Sequence, residues 1–254
     1  MSCEDLFREV NELLGCPSRI VLEETERDGP GKYWKEGHLS KSCGFLPQDM
    51  SHIGNLQYLP DYSSWASLAQ RMPGLLSRNG FRDAARRLTI YSADENSLPE
   101  NCLHEAMCVL GILAYSFRFE QRFTDDPSTK ENIPDGILQP WTEVSNRLDR
   151  KDVYLGFEEF VILNAMWKDK SRQKGSQWSL DNLEMAYPVF GTRTEHVFLM
   201  VMNEMLEQFT PAVEAMVKSQ EAVMLKDNES LIEELMIIKA CLDKEITQLL
   251  IYYI

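Results

Sequence analysis

Four consecutive apolar residues, Phe160-Val161-Ile162-Leu163, constrain this chain more than any other feature. In a helix such a run leaves little of the circumference wetted, and a helix of that kind belongs inside a protein. The pattern predicts a buried helix from about Tyr154 to Trp167. The segment leading to it begins at Ile133 and is punctuated by Pro134, Gly136 and Pro140. Proline has no N–H to donate and glycine is conformationally loose, so this part reads as an irregular connector. Pro140 then suits the first turn of a short helix through Arg147, where its missing N–H is not needed. A buried helix reached through irregular backbone makes a wall for a pocket.

A second apolar run, Val197 to Met202, lies in a helix that Thr192 and Glu195 start as a capping box. It too is expected to be buried nearly all round. One mixed face carries His196, Met200, Asn203 and Glu207 at i, i+4, i+7 and i+11. Pro211 is expected to kink its continuation. Upstream, Ser2 and Asp5 form a capping box before Leu6, Val10, Leu13 and Leu14, and a glycine- and proline-rich stretch then runs from about Cys16 to Pro60. A helix follows from Ser63, with Trp65, Leu68, Ala69, Met72, Leu75 and Leu76 in helical register. Pro73 either kinks it, at about 3 kcal/mol, or divides it. Ser97 and Glu100 read as a capping box ahead of Leu103, Met107, Leu110, Leu113, Ala114 and Phe117. After a polar loop, the connector and a charged loop, Ser179 caps a short helix through Tyr187. The last helix runs from Asn228 to Ile254, with Leu231, Leu235, Ile238, Leu242, Ile246, Leu249 and Tyr253 as its buried stripe. Period-two alternation is scarce. The fold class is all-α and multi-helical, with about eight helices.

Composition narrows the partners. The 254 residues, 44% of them hydrophobic, can bury a sizeable core in one large domain or two small ones. A net charge of −14 argues against nucleic acid, which needs basic patches to neutralise phosphates. The Arg82/Arg86/Arg87 cluster reads as a solvated helix face. Six scattered cysteines form no CxxC or Cys/His zinc pattern. The start, MSCEDLF, has no secretory character, and no apolar run approaches the roughly 18 residues of a membrane span. The expectation is a soluble, cytoplasmic chain without a nucleic-acid or membrane partner.

Ile133, Pro134, Ile137, Pro140, Ser145 and Leu148 form an I-P-x-x-I-x-x-P-x-x-x-x-S-x-x-L pattern, and V-I-L-N-A-M-W follows. Gly44-Phe45-Leu46-Pro47 and Leu59-Pro60-Asp61-Tyr62 with Trp65 precede it. Together, in this order, these resemble the indoleamine 2,3-dioxygenase family of haem enzymes, from roughly Gly44 to the C-terminus. The resemblance implies an all-helical fold, with a small N-terminal domain over a larger helical one. The division is expected as residues 1–187 and 188–254, the latter holding the first helices of the larger domain. It also implies haem b as cofactor, and an oxidoreductase reaction in which O2 opens the ring of tryptophan or a related indole to an N-formylkynurenine-type product. In the family the iron-ligating histidine lies on a helix beyond the point matching Ile254, so this chain resembles the N-terminal and distal-pocket portion.

On that reading Glu159, Ile162 and Leu163 belong to the segment that faces substrate. His196 falls where the family usually carries a pocket phenylalanine, and Met200 where it carries a small polar residue. His196 either donates a hydrogen bond to bound oxygen or substrate, or is a helix-start histidine bonded to backbone. Glu159 is either an acid–base group raised by a dry pocket or a solvated glutamate, and Met200 either lines the pocket or fills core. No residue is assigned as catalytic. His38, His52 and His104 are replacement iron ligands only in principle. The alternative reading is a non-catalytic helical relative that self-associates or binds a partner through its apolar C-terminal helix.

Overall fold

The computed structural model describes residues 16–28, 39–47, 50, 53–121, 132–169 and 178–253. The Ser2/Asp5 helix, His38, His52, most of both polar loops and the side chains of Leu249–Ile254 lie outside the described residues. The chain divides into two compact units, Asp49–Met200 and Met1–Gln48 with Val201–Ile254. Its helices are α1 (Pro17–Asp28), α2 (Ser63–Gln70), α3 (Met72–Leu76), α4 (Phe81–Arg86), α5 (Leu103–Gln121), α6 (Asp135–Arg147), α7 (Arg193–Leu225) and α8 (Asn228–Tyr253). Two three-residue strands, β1 (Ala165–Trp167) and β2 (Leu183–Met185), accompany them. The fold is mainly helical, as the sequence implies.

In the Asp49–Met200 unit the central element is α5. Its apolar residues leave almost no wet face, and Ala106, Met107, Val109, Leu110, Leu113 and Phe117 are fully buried. By length and composition the Glu100–Glu120 segment is apolar enough to cross a membrane, which the sequence reading did not anticipate. Yet 83% of that window is buried within the fold, as befits a core helix. Around it pack Trp65, Leu68 and Ala69 from α2, Phe81 and Ala85 from α4, and Ile137, Trp141 and Val144 from α6. Burying such side chains is worth about 1.5–3 kcal/mol each, so this cluster dominates the unit's stability. Pro73 divides rather than kinks its helix: α2 ends at Gln70 and Pro73 sits in the first turn of α3. Ser97 does not cap a helix. The segment before α5 is a 3-10 turn, Glu100–Cys102, preceded by Pro99.

The connector is more regular than its prolines suggest. α6 begins at Asp135, not at Pro140, because Pro134 stays extended and its carbonyl accepts from the N–H groups of Ile137 at 2.8 Å and Leu138 at 2.9 Å. Pro140 is accommodated inside the helix. Gly136 is required there for space, since an added Cβ would stand 2.6 Å from the Leu88 carbonyl oxygen.

The predicted helix from Tyr154 to Trp167 is corrected to one π-helical turn, Glu158–Ile162, followed by β1. The predicted helix from Ser179 to Tyr187 is a turn leading into β2. β1 and β2 are antiparallel, with Ala165 opposite Met185, Met166 opposite Glu184 and Trp167 opposite Leu183. Asn164 explains why a helical pattern yields to strand. Its side-chain oxygen accepts from the Tyr187 N–H at 2.9 Å and its amide donates to the Tyr187 carbonyl at 3.1 Å. The amide thus mimics one more rung of the ladder, a contact over 23 residues that local periodicity does not encode.

In the other unit α1 lies along the later part of α7. Arg19 forks between Glu214, at 3.0 and 3.1 Å, and Glu221, at 2.8 Å to each oxygen. Leu22 and Cys16 bury against Val213 and Val217. Gly44, at φ +60°, needs its missing side chain because a Cβ would stand 2.8 Å from Thr210 Oγ1, and Phe45 stacks on Phe209. α7 is assigned as one helix through Pro211. Its Val197–Met202 run is not buried all round, since Phe198 is half exposed. The stripe predicted to be buried on α8 is corrected as well. Leu235, Leu242 and Ile246 are exposed, because the unit covers a neighbouring face through Cys241.

Gly136→Ala forces a Cβ onto backbone that has no rotamer to yield. It should destabilise the chain by about 1–3 kcal/mol, the usual cost of overpacking. Urea unfolding followed by circular dichroism reads this as a lower midpoint with unchanged slope.

Candidate functional site

The sequence-selected residues fall in two groups, both within the Asp49–Met200 unit. Glu159, Ile162 and Leu163 share the π-helical turn or its end, and all three are buried. A π turn is rare and frequent at functional positions, because its extra residue shifts which side chains face inward. His196 and Met200 occupy the first two turns of α7, one above the other at i and i+4. Met200 is fully buried and His196 half-buried.

Glu159 is not solvated. Its side chain is 0% exposed and ion-paired with Arg150. Oε2 also accepts from the Gly156 N–H at 3.0 Å. Arg150 reaches the neighbouring Glu158 at 3.4 Å. Burial, reinforced by the charge on Glu159, raises the Glu158 carboxyl above its ordinary value, and Arg150 opposes that rise. One guanidinium therefore holds two adjacent carboxylates at the start of the π turn. That arrangement fixes the turn's backbone, so Ile162 and Leu163 are delivered in a set orientation.

His196 stands beside the hairpin. Partial burial lowers its pKa, the positive charge of Lys168 lowers it further, and Glu184 partly offsets both. The helix start is built by its capping residues. Thr192 Oγ1 accepts from the Glu195 N–H at 3.2 Å, the half of the capping box read from the sequence. The Glu195 carboxylate reaches further back than expected, accepting from the N–H groups of Val189 at 2.8 Å, Phe190 at 2.9 Å and Gly191 at 2.8 Å. The π turn leads through Leu163 and Asn164 into β1, and the charges that act on His196 are those of Lys168 and Glu184.

The residue the sequence reading missed is Glu105. It sits fully buried near the start of α5. Oε1 accepts from the Gly54 N–H at 2.9 Å and from the Tyr187 hydroxyl. Oε2 accepts from the N–H groups of Asn55 at 2.8 Å and Leu56 at 2.9 Å. Burial first, then the charge and hydrogen bond of Glu105, hold the Tyr187 phenol protonated far above its ordinary value. One turn on, burial and the charges of Glu159 and Glu105 push the Cys108 thiol well above its usual range, so it is inert as a nucleophile. One signal in the sequence pointed to Glu105: a carboxylate in a run of apolar residues must find partners, which the turn at Gly54, φ +89°, supplies.

These residues do not by themselves suit a haem. His104 is 1% exposed on α5 in the packed core, and a porphyrin would have to dismantle that core to reach it. His196 has Lys168 and Glu184 as its charged neighbours. Among the described residues no group of three or more His, Cys, Asp or Glu is gathered to hold a metal ion. Among the described residues, no histidine stands free of the packed core with the surroundings of an axial iron ligand.

The chain is a mainly helical scaffold in which a π turn and a short hairpin precede a capped helix. The family described as indoleamine 2,3-dioxygenase matches residues 34–252, and the chain belongs to that family. It is 23% identical over 201 residues to indoleamine 2,3-dioxygenase 2 of Homo sapiens, an alignment covering 78% of this chain and 46% of the relative. It is 24% identical over 220 residues to indoleamine 2,3-dioxygenase 1 of Rattus norvegicus and of Mus musculus, covering 85% of this chain and 50% of each relative. The chain spans about half the length of the curated relatives it matches.

Two outcomes follow from this geometry. Tyr187→Phe removes one donor from a buried carboxylate and should cost about 2 kcal/mol, whereas Glu105→Gln, which turns an amide NH2 toward backbone N–H groups, should cost more. Chemical denaturation of the two variants gives the order. For His196, a folded pKa below the unfolded one means that the folded state favours the neutral ring. The associated stability is complete above the unfolded value of about 6.5 and is lost as pH falls from there through the folded value. Denaturation midpoints between neutral and mildly acidic pH should fall in the parent and fall less in His196→Gln.

Proposed function

We propose that this chain is the distal-pocket half of a haem-dependent dioxygenase of the indoleamine type. In this reading it works with a haem-bearing helical half to open the ring of tryptophan or a related indole with O2, giving an N-formylkynurenine-type product. The observation that carries the reading is the family match over residues 34–252. The π turn supports it, since it is fixed by Arg150 and Glu159 and backed by the rigid core around α5.

The contribution of these residues is binding and exclusion. In this reading Ile162 and Leu163 on the π turn and Met200 on α7, all buried in this structure, would supply apolar walls behind the indole. His196, held largely neutral by its surroundings, offers a hydrogen bond to substrate or oxygen at the pocket edge. Glu159 is a positioning residue rather than an acid–base group, because both its neighbours, Arg150 and Gly156, hold it in place. Haem b would supply the oxygen chemistry when bound. A cytoplasmic setting agrees with the free thiols of Cys16, Cys43, Cys102, Cys108 and Cys241.

A second reading, a non-catalytic interaction protein, draws on a different observation: the exposed apolar residues of α8. Spectroscopy separates the two. The purified chain is mixed with haem and with the haem-bearing half of a curated relative. The dioxygenase reading expects a protein-bound Soret band in the mixture that neither polypeptide gives alone, together with ring-opened product from tryptophan. If both polypeptides are folded by circular dichroism and the mixture shows free haem only, that reading fails.

A further inference from the structure

The turn between α3 and α4 runs through Ser77, Arg78, Asn79 and Gly80. The Asn79 N–H donates to the Leu76 carbonyl at 3.2 Å and the Gly80 N–H to the Leu75 carbonyl at 2.9 Å, the paired bonds of a Schellman helix end. Such an end needs one residue in the left-handed region, and glycine usually provides it. Here that residue is Asn79, at φ +52°, and the glycine comes one position later. Gly80 itself sits at φ −109°, a conformation open to residues other than glycine. The nearest atom to a Cβ added there is the Leu75 carbonyl oxygen, at 3.8 Å. Neither backbone conformation nor space calls for glycine at position 80.

What the glycine does supply is access. Asn79 is exposed, and the peptide nitrogen that follows it has no Cβ beside it to block approach. This is the one asparagine–glycine step in the 254 residues. Asparagine is thermolabile because the next peptide nitrogen can attack its side-chain carbonyl carbon, Cγ. The N–Cγ bond forms, the Cγ–Nδ2 bond breaks, and ammonia leaves with the amide proton of Gly80. Water then opens the five-membered imide at either carbonyl, giving aspartate or isoaspartate. Water is the sole co-reactant, and no electrons are exchanged. The hydrogen bond to Leu75 opposes the first step, since it engages both the attacking nitrogen and the proton that must leave. That bond belongs to an exposed turn between helices of five and six residues, so opening it takes far less than unfolding the unit.

We propose that Asn79–Gly80 is a spontaneous modification site of the folded chain, where asparagine converts to aspartate and isoaspartate at a rate set by opening of the α3–α4 turn. The two products act differently on the fold. Aspartate, like asparagine, tolerates the left-handed region and keeps both hydrogen bonds of the helix end. Isoaspartate routes the main chain through the side chain and adds a backbone carbon just before Gly80 and Phe81. The Phe81 ring is fully buried in the core around α5, so it cannot shift to absorb the extra length.

Peptide mapping of the full chain by mass spectrometry tests this, with fragmentation that separates aspartate from isoaspartate. The chain is held at mildly alkaline pH, either folded or unfolded in guanidinium chloride. Both products should accumulate at position 79 in the folded chain, more slowly than in the unfolded one. Gly80→Ala, for which the fold has room, should slow the conversion on the order of tenfold in both states. Asn79→Asp should unfold at the parent's denaturant midpoint, whereas the isoaspartate fraction, separated by chromatography, should unfold at a lower one. Circular dichroism verifies that each variant is folded at the start. A folded chain unchanged at position 79 while the unfolded chain converts overturns the proposal. So do equal rates in the two states, a Gly80→Ala chain that converts as fast as the parent, or an isoaspartate fraction as stable as the parent.

Discussion

A single buried carboxylate organises the larger unit. Glu105 lies fully buried on the first half of α5, and its two oxygens take four donors from two distant stretches of chain. Three are backbone N–H groups at Gly54, Asn55 and Leu56, and the fourth is the Tyr187 hydroxyl. A carboxylate left unpaired in such a core would cost several kilocalories, so the contacts form together or not at all. Tyr187 is also the residue whose backbone Asn164 grips. The charge on α5 therefore determines where the segment after β2 sits, and through it where the capped start of α7 and His196 are placed. Packing supplies the unit's stability, and Glu105 selects one arrangement of it.

What was legible in the sequence, and what was not, divides by the range of the interaction. Helix α5, the start of α7 at Thr192 and Glu195, and an interruption at Pro73, as kink or division, were readable because periodicity, capping and proline act over a few residues. The strand pair was not. The run from Phe160 to Leu163 has helical character, and only the contact of Asn164 with Tyr187, 23 residues away, turns the chain into β1. The same holds for α6, where Gly136 permits a close approach to Leu88 that the sequence does not announce. On α8 the period was right and the face was wrong: a helix with two adjacent apolar stripes does not say which one its own chain covers. In the candidate site, Ile162, Leu163 and Met200 were expected at buried positions and are buried. Glu159 was read as either dry or solvated, and its partner Arg150, nine residues earlier in a loop, decided the matter.

The family signature itself is written mostly in core residues. Ile133, Ile137, Ser145 and Leu148 of the connector pattern are all buried, and Ser145 donates to the Asp152 carbonyl at 3.2 Å to close the turn after α6. Trp65 is 0% exposed, and Tyr62 packs against it while donating to the Ser92 carbonyl at 2.7 Å. Gly44 is pinned against Thr210. A core position changes least because a methylene more or less is felt at once by its neighbours. At 23–24% identity, such positions are the ones still able to carry a match. Kinship here is thus evidence about packing first. The π turn at Glu158–Ile162 is held in the same way: Glu159, Val161 and Ile162 are buried, and the Arg150 guanidinium pairs with Glu159.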